Sequence, residues 1–197
     1  MDALKKGLEA LLGQQVPPSL IRLLIIVSQE GKVSYERIRE EVDDPEEALL
    51  IALSYRILIP VGDRPTSEWR DLLLLAKEEE VYRMPRVVEY LIRGALQRGR
   101  WEVKGAIEGT FQEIGEEDWA LMPKLIRRMA KESEGGKITA HQIREICKEI
   151  GLEGKVDPLI AELKATGVMS PRLGSLPEAL KANAPIYELN PLLIGVD

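Results

Sequence analysis

The chain repeats one pattern of residues at a fixed offset of 105 positions. The stretch from Glu30 reads EGKVSYERIREEV, and the stretch from Gly135 reads GGKITAHQIREIC. Identical pairs at this offset are Pro18 and Pro123, Leu20 and Leu125, Ile21 and Ile126, Arg22 and Arg127, Gly31 and Gly136, Lys32 and Lys137, Ile38 and Ile143, Arg39 and Arg144, Glu40 and Glu145, and Tyr82 and Tyr187. Solenoid repeats have periods of about 20–50 residues. The longer offset therefore predicts two copies of one domain.

Each copy opens with the same helical signals. Proline is tolerated in a first helical turn, so Pro18 predicts the start of a first helix, and Gly31 predicts its end. After a short extended piece, Ser34 has the side chain of an N-cap for a second helix. Thr139 takes that position in the second copy.

The second half of each copy predicts a third helix followed by two strands. In the first copy the helix is EEALLIALSYRI, from Glu46, and ILIPV at residues 57–61 is the strand. In the second copy Pro158 begins the helix and Gly167 ends it. There VMS is the first strand, and IYEL at residues 186–189 is the returning strand.

This order of helix, strand, helix, turn, helix, strand, loop and strand resembles the winged-helix fold, in two copies at about residues 15–85 and 120–193. The resemblance implies a mainly α fold with small β wings (α+β). We interpret residues 1–14 as an amphipathic helix, 15–99 as the first domain with its C-terminal helix, 100–119 as an acidic, glycine-containing linker and 120–197 as the second domain. A further helix, Thr66–Glu80, is expected within the first wing.

Composition indicates a soluble globular protein of the cytoplasm. Hydrophobic residues make up 45% of the chain and charged residues 30%, and the net charge is −6. The longest apolar runs fall far short of the roughly 20 residues that span a bilayer, so we expect no membrane segment. The N-terminus has no apolar signal region, and a single cysteine fits a reducing compartment.

The sequence contains no catalytic motif. His141 is the only histidine, so it lacks the partners that acid-base or metal chemistry requires. Cys147 occupies the position of Val42 in the other copy, which predicts an equivalent buried site. EGGKIT at residues 134–139 does not match the phosphate-loop pattern. We therefore predict a protein that is not an enzyme and that uses no cofactor or metal.

The third helices are poorly suited to reading DNA. A winged helix normally places its third helix in the major groove, where basic and amide side chains contact bases and phosphates. Between Asp43 and Arg56 there are four acidic residues and one basic residue, and the third helix of the second copy is also net acidic. Basic residues gather elsewhere, either as nucleic-acid contacts or as the solvated faces of amphipathic helices: Arg83, Arg86, Arg93, Arg98, Arg100 and Lys104 around Trp101, and Lys124, Arg127, Arg128 and Lys131.

Two functions remain open. The first is a tandem winged-helix regulatory protein that acts mainly through protein–protein contacts in a transcription- or chromosome-associated complex. The second is a DNA-binding transcription regulator, which the fold favours and the charge disfavours. We expect a homodimer, because two apolar surfaces lie outside the repeat: the leucine face of DALKKGLEALLG (Leu4, Leu8, Leu11 and Leu12), and WRDLLLLA at residues 69–76. Packing of these surfaces against the chain's own domain is the alternative.

Overall fold

The computed structural model describes residues 1–61, 79–172 and 180–194. Within these ranges the protein is mainly helical with two small antiparallel sheets, which confirms the mainly α, α+β prediction. The helices are α1 (Asp2–Leu12), α2 (Pro18–Glu30), α3 (Tyr35–Glu41), α4 (Pro45–Ser54), α5 (Arg86–Arg98), α6 (Val103–Glu113), α7 (Met122–Glu132), α8 (Ala140–Glu149) and α9 (Val156–Ala165). The strands are β1 (Lys32–Ser34), β2 (Ile59–Pro60), β3 (Val81–Arg83), β4 (Lys137–Thr139), β5 (Met169–Pro171) and β6 (Ile186–Leu189). Three 3₁₀ turns lie at Trp119–Leu121, Glu153–Lys155 and Pro191–Leu193.

The same element order occurs twice. We call α2 to β3 the first copy and α7 to β6 the second copy. Each has three helices and a three-stranded sheet in which the last strand lies in the centre, with the orders β1-β3-β2 and β4-β6-β5. Tyr82 faces Val33 on one side and Pro60 on the other.

The second sheet repeats this register. Tyr187 faces Ile138 and Pro171. The prolines lie on edge strands, where a missing N–H costs no ladder hydrogen bond. The 105-residue offset of the sequence therefore relates β1 to β4 and β3 to β6, whereas Pro60 of β2 and Pro171 of β5 are 111 positions apart.

Local signals place most helix ends. Pro18 is the first residue of α2, and Gly31 closes that helix with φ 76° and an N–H donated to the carbonyl of Val27. The Ser34 hydroxyl accepts from the N–H of Arg37 at 3.3 Å. Thr139 forms a full capping box with Gln142 at the start of α8. These four predictions are confirmed.

Two predicted helix boundaries were wrong. The third helix of the first copy ends at Ser54 and does not reach Ile57, because Arg56 takes a left-handed backbone conformation with φ 57°. The corresponding helix α9 begins at Val156, two residues before Pro158. Proline lacks only an N–H, and the first four N–H groups of a helix have no partner within it, so proline also fits the third helical position.

The stretch interpreted as a linker contains a packed helix. Residues 103–113 form α6, which lies along α5 and buries Phe111 completely. A Cβ on Gly109 would lie 2.8 Å from the Tyr90 ring, so this glycine permits the close approach of α5 and α6. Gly109, one of the glycines that predicted an irregular linker, therefore serves helix packing.

Helix α1 packs within its own chain, against α5. Leu4 and Leu8 are fully buried, and Leu11 and Leu12 are partly buried. The Trp101 ring covers Gly7 so closely that a Cβ there would lie 2.1 Å from it. This surface therefore packs against its own chain, and the expectation that these leucines form a dimer interface was wrong. The other expected dimer surface, residues 69–76, lies outside the described residues, as does nearly all of the expected helix Thr66–Glu80.

The two copies contact each other reciprocally. Arg56 and Gly167 are equivalent residues after the third helix of each copy, and Pro85 and Asn190 are equivalent residues after the last strand. Pro85 packs on Gly167, and the Asn190 side chain donates to the Arg56 carbonyl at 3.2 Å. Each copy thus contributes the same two positions to the contact. This is the arrangement of a two-fold interface, formed here within one chain.

The interface between the copies is buried and contains specific hydrogen bonds. Asn190 is fully buried and also donates to the carbonyl of Gly167 at 3.2 Å, while the Val87 N–H donates to the carbonyl of Thr166 at 3.1 Å. Arg56 adds an ion pair to Glu188 at 3.7 Å. One cluster of buried apolar side chains runs through both copies. The contacts hold them in a single arrangement.

None of the helices in the described ranges combines the length and the apolar character needed to cross a bilayer.

Candidate functional site

Three of the predicted basic residues line one groove. Lys104 comes from α6, and Arg127 and Lys131 come from successive turns of α7. The groove lies between these helices and the C-terminal 3₁₀ turn and has a volume of about 570 Å³. Its other lining residues are apolar: Val103, Ile107, Pro123, Ile126, Ala130, Leu193 and Ile194. Lys124, one turn before Arg127, is also exposed on α7.

The groove floor is rigid. Val103, Ile107 and Ile126 are at least 94% buried, so the residues that form the floor also belong to the core. The Asn190 side chain accepts from the N–H of Leu192 at 3.1 Å and so caps the 3₁₀ turn that carries Leu193. The same asparagine joins the two copies. The wall of the groove is therefore tied to the interface between them.

The rim of the groove is cationic. Lys104 pairs with Glu108 at 3.7 Å, a distance typical of a weak surface ion pair. Arg127 and Lys131 are exposed and form no ion pair with any described residue. They form a local region of positive charge on a chain whose net charge is −6. Arg128 differs, because hydrogen bonds to Glu132 raise its pKa, and it also pairs with Glu149.

The remaining predicted residues form a separate and mixed surface. Arg86, Arg93 and Arg98 line a depression of about 320 Å³ on α5 that also contains Glu89 and Glu113. Arg93 donates to Glu89 at 2.7 Å. The acidic partners weaken the positive potential of this face. The ten predicted basic residues therefore do not form one continuous surface.

Two further members of the first basic group lie apart from the depression. Arg83 is half-buried in β3, and its pKa is lowered first by burial and then by Arg86. Arg100 pairs with Glu102 at 3.7 Å. Trp101, which these residues were predicted to surround, holds α1 in place, so its ring is not a free stacking surface.

The exposed faces of the third helices carry acidic and small apolar side chains. On α4 these include Glu46, Glu47 and Leu50, which is 51% exposed. On α9 they include Asp157 and Ala161. Helix α4 contains no basic residue, so its exposed face carries no cation.

Glu116, Glu117 and Asp118 form a carboxylate cluster around Lys155 that the sequence did not indicate. Glu116 is 8% exposed, and its carboxylate accepts from the N–H of Asp118 at 2.8 Å. The Lys155 ammonium lies 2.7 Å from Asp118, 3.3 Å from Glu117 and 3.5 Å from Glu116. Hydrogen bonding to Asp118 raises the pKa of Lys155. The run of three acidic residues was interpreted as a solvated linker, and only the tertiary structure brings Lys155 to it.

Glu162 of α9 completes this cluster at an energetic cost. Its Oε2 is buried and has no hydrogen-bond partner among the described residues. Burial, and then the charge of Glu116, raise the pKa of Glu162 above its ordinary value of 4.5. The folded protein therefore binds this proton more tightly than the unfolded chain does. As pH rises from about 4.5 through the raised pKa, the free energy of unfolding falls.

We expect Glu162→Gln to raise the free energy of unfolding by about 1 kcal/mol at pH 7, because the neutral amide removes the buried charge and can donate to Glu116. The gain should vanish toward pH 4, where the wild-type carboxyl is protonated. Urea titrations at both pH values measure it. Glu153→Gln, at an exposed position, is the control and should change stability little. Equal stability of the Glu162→Gln variant and the wild type at pH 7 would contradict the account.

The lone histidine and cysteine lie apart from these surfaces. His141 is exposed, and its Nε2 lies 3.1 Å from the carbonyl oxygen of Asn183. Cys147 is fully buried, which raises its pKa, and Val42 is 5% exposed. The predicted equivalence of Cys147 and Val42 as buried residues is confirmed. Across residues 1–61, 79–172 and 180–194, no three His, Cys, Asp or Glu side chains are grouped to hold a metal ion.

A protein-family model of unknown function matches residues 3–196. The match spans almost the whole chain, so the chain belongs to this family. No curated protein and no solved structure matches the chain significantly.

Proposed function

We propose that this member of the family is a non-enzymatic regulatory protein built from tandem winged-helix domains. It acts mainly as a protein–protein interaction module in a transcription- or chromosome-associated complex. The proposal combines the repeated element order with the chemistry of the exposed helix faces. Neither feature depends on a catalytic group.

The repeated topology supports the winged-helix assignment. A helix, a short strand, two helices and two strands occur in this order in both copies, and both sheets share one register. In such a domain α4 and α9 are the third helices, and the segments between the paired strands β2 and β3, and β5 and β6, are the wings. The function then depends on which side chains these helices expose.

The exposed face of α4 is the observation that carries the proposal. Leu50, at 51% exposure, lies between turns that carry Glu46, Glu47 and Ser54. Carboxylates at this helix N-terminus are stabilised by the helix dipole, but they repel phosphates. An exposed leucine with an acidic border instead fits an apolar pocket on another protein.

Two basic side chains next to the third helices are held in ion pairs. Arg56 follows α4, but its side chain is 18% exposed and pairs with Glu188 of the second copy. Lys155, before α9, is held by Glu116, Glu117 and Asp118. Because the copies are held in one arrangement, a partner meets both helices as parts of one body.

The DNA-binding regulator remains the second candidate, and one observation favours it. Lys104, Arg127 and Lys131 converge on one groove although they come from two different helices. A phosphate backbone could follow such a cationic rim. This mode would be independent of sequence, since phosphate contacts position a protein but do not specify bases.

We expect Leu50→Lys to abolish capture of native partners by the tagged protein, since the charge would enter an apolar contact. Leu180→Lys is the matched control, because Leu180 is 72% exposed and lies between β5 and β6 of the second copy. Quantitative mass spectrometry of both captures measures the loss. Equal recovery of the same partners by both variants would refute the role of α4.

DNA selection tests the alternative. We expect selection from random duplexes to yield no shared motif, and any weak binding to fall steeply with salt, as phosphate contacts require. Binding anisotropy across a salt series measures this. A shared motif whose tight binding is lost in the Leu50→Lys variant would establish the DNA-binding regulator instead.

A further inference from the structure

We propose that the groove between α6, α7 and the C-terminal 3₁₀ turn binds an acidic amphipathic segment of a partner protein. This inference deepens the proposed function, because it assigns a partner class to a second surface distant in sequence from α4. It depends on the shape and charge of the groove and not on the winged-helix assignment.

The size and lining of the groove fit side chains of a peptide. Its volume of about 570 Å³ is within the range of roughly 300–1,000 Å³ found for ligand pockets. Seven of its ten lining residues are apolar, and they come from two helices and the C-terminal turn. An occupant must therefore bring apolar groups to be held there.

The rim requires negative charge from the occupant. Arg127 and Lys131 lie one turn apart on α7, and Lys104 lies on α6. Because the first two have no ionic partner among the described residues, an acidic ligand would gain contacts without first breaking internal ones. Among the described residues, an acidic ligand would have to replace one ion pair at the rim, that of Lys104 with Glu108 at 3.7 Å.

The lining favours a peptide over a nucleic acid. Single-stranded nucleic acids bind by stacking bases on aromatic rings, and the described lining contains no aromatic residue. A duplex backbone would satisfy the rim but would leave the apolar floor in water. A helix with leucines on one face and carboxylates beside them satisfies both, as in helix-in-groove recognition.

The preformed floor favours tight recognition. Ile107 and Ile126 are buried in the core, and Asn190 caps the turn that carries Leu193. Little conformational freedom is then lost from the groove on binding. If the partner's segment folds on binding, most of the conformational entropy is lost by the partner.

The test is a phage-displayed 12-residue peptide library selected against the full chain, followed by fluorescence anisotropy of the recovered peptides. We expect recovered peptides to combine acidic residues with leucine or isoleucine. Two variants then locate the site. Arg127→Glu with Lys131→Glu reverses the rim, and Ala130→Arg keeps the rim positive while filling the floor.

Peptide affinity should fall at least tenfold in both variants and remain unchanged in the charge-matched control Arg93→Glu with Arg98→Glu. Thermal unfolding of each variant confirms folding. A duplex DNA probe discriminates the classes, because Ala130→Arg adds a cation and should strengthen phosphate binding while it weakens peptide binding. Leu50→Lys should leave peptide binding unchanged.

Other outcomes overturn the inference. Recovery of no peptide, or of peptides without acidic residues, would refute it. DNA binding that is lost in the rim variant, without peptide binding, would assign the groove to nucleic acid. Self-association that disappears in the rim variant, measured by sedimentation, would assign it to a second copy. If peptides fail to bind while Leu50→Lys still loses native partners, only the groove assignment fails.

Discussion

Replacing Gly167 with alanine should lower the free energy of unfolding by about 3 kcal/mol. Gly167 has φ 80°, a conformation that costs an L-residue roughly 1–2 kcal/mol. A Cβ there would also lie 2.3 Å from the Cβ of Pro85, whose ring cannot turn away. Overpacking of this kind typically costs about 1–3 kcal/mol. Urea unfolding monitored by circular dichroism measures the combined loss.

Gly151→Ala separates the two causes. Gly151 has φ 84°, but a Cβ there would have no neighbour within 4 Å, so this variant should lose only the backbone contribution, about 1 kcal/mol. The excess loss at Gly167 then reports the contact between the copies. Equal losses in the two variants would mean that Pro85 does not press on Gly167 and that the internal interface is looser than described.

Leu8→Ala should lower the free energy of unfolding by about 3 kcal/mol, since Leu8 is fully buried and truncation leaves a cavity under α1. The loss should be the same at all protein concentrations, because α1 packs within its own chain. Thermal unfolding over a hundredfold concentration range measures both quantities. A loss that grows on dilution would instead show that α1 is buried between two chains.

Lys5→Ala is the control on the same helix. Lys5 makes only an exposed ion pair with Glu9 at 3.8 Å, so its removal should cost less than about 0.5 kcal/mol. Because alanine favours a helix at least as well as lysine, a loss in Lys5→Ala as large as that in Leu8→Ala would show that burial of Leu8 is not what controls the docking of α1.

Local signals explain the parts of the fold that could be predicted. Pro18, Gly31, Ser34 and Thr139 act through their own backbone or through an N–H three residues away, so the sequence is sufficient to place them. Several predictions whose outcome depended on tertiary contact were wrong. The left-handed Arg56 ends α4 early, and nothing local distinguishes it from a helical arginine.

The candidate groove was also only partly predictable from the sequence. Lys104, Arg127 and Lys131 were predicted as basic surface residues, but they were assigned to two separate groups along the chain. Their meeting depends on α6, which was hidden in the expected linker because its glycines suggested irregular structure. In the structure Gly105 and Gly109 are helical positions of α6, and Gly109 allows the helix to pack closely on Tyr90.

The sequence by itself determined the duplication, the helix caps and the acidic third helices, because each depends on residue identity and spacing. Only the tertiary structure decided that α1 packs on its own chain, that Asn190 joins the copies, and that Glu116, Lys155 and Glu162 form one cluster. The physical reason is distance along the chain. Asn190 and Arg56 are 134 residues apart, and burial and pairing between such residues depend on how whole helices pack.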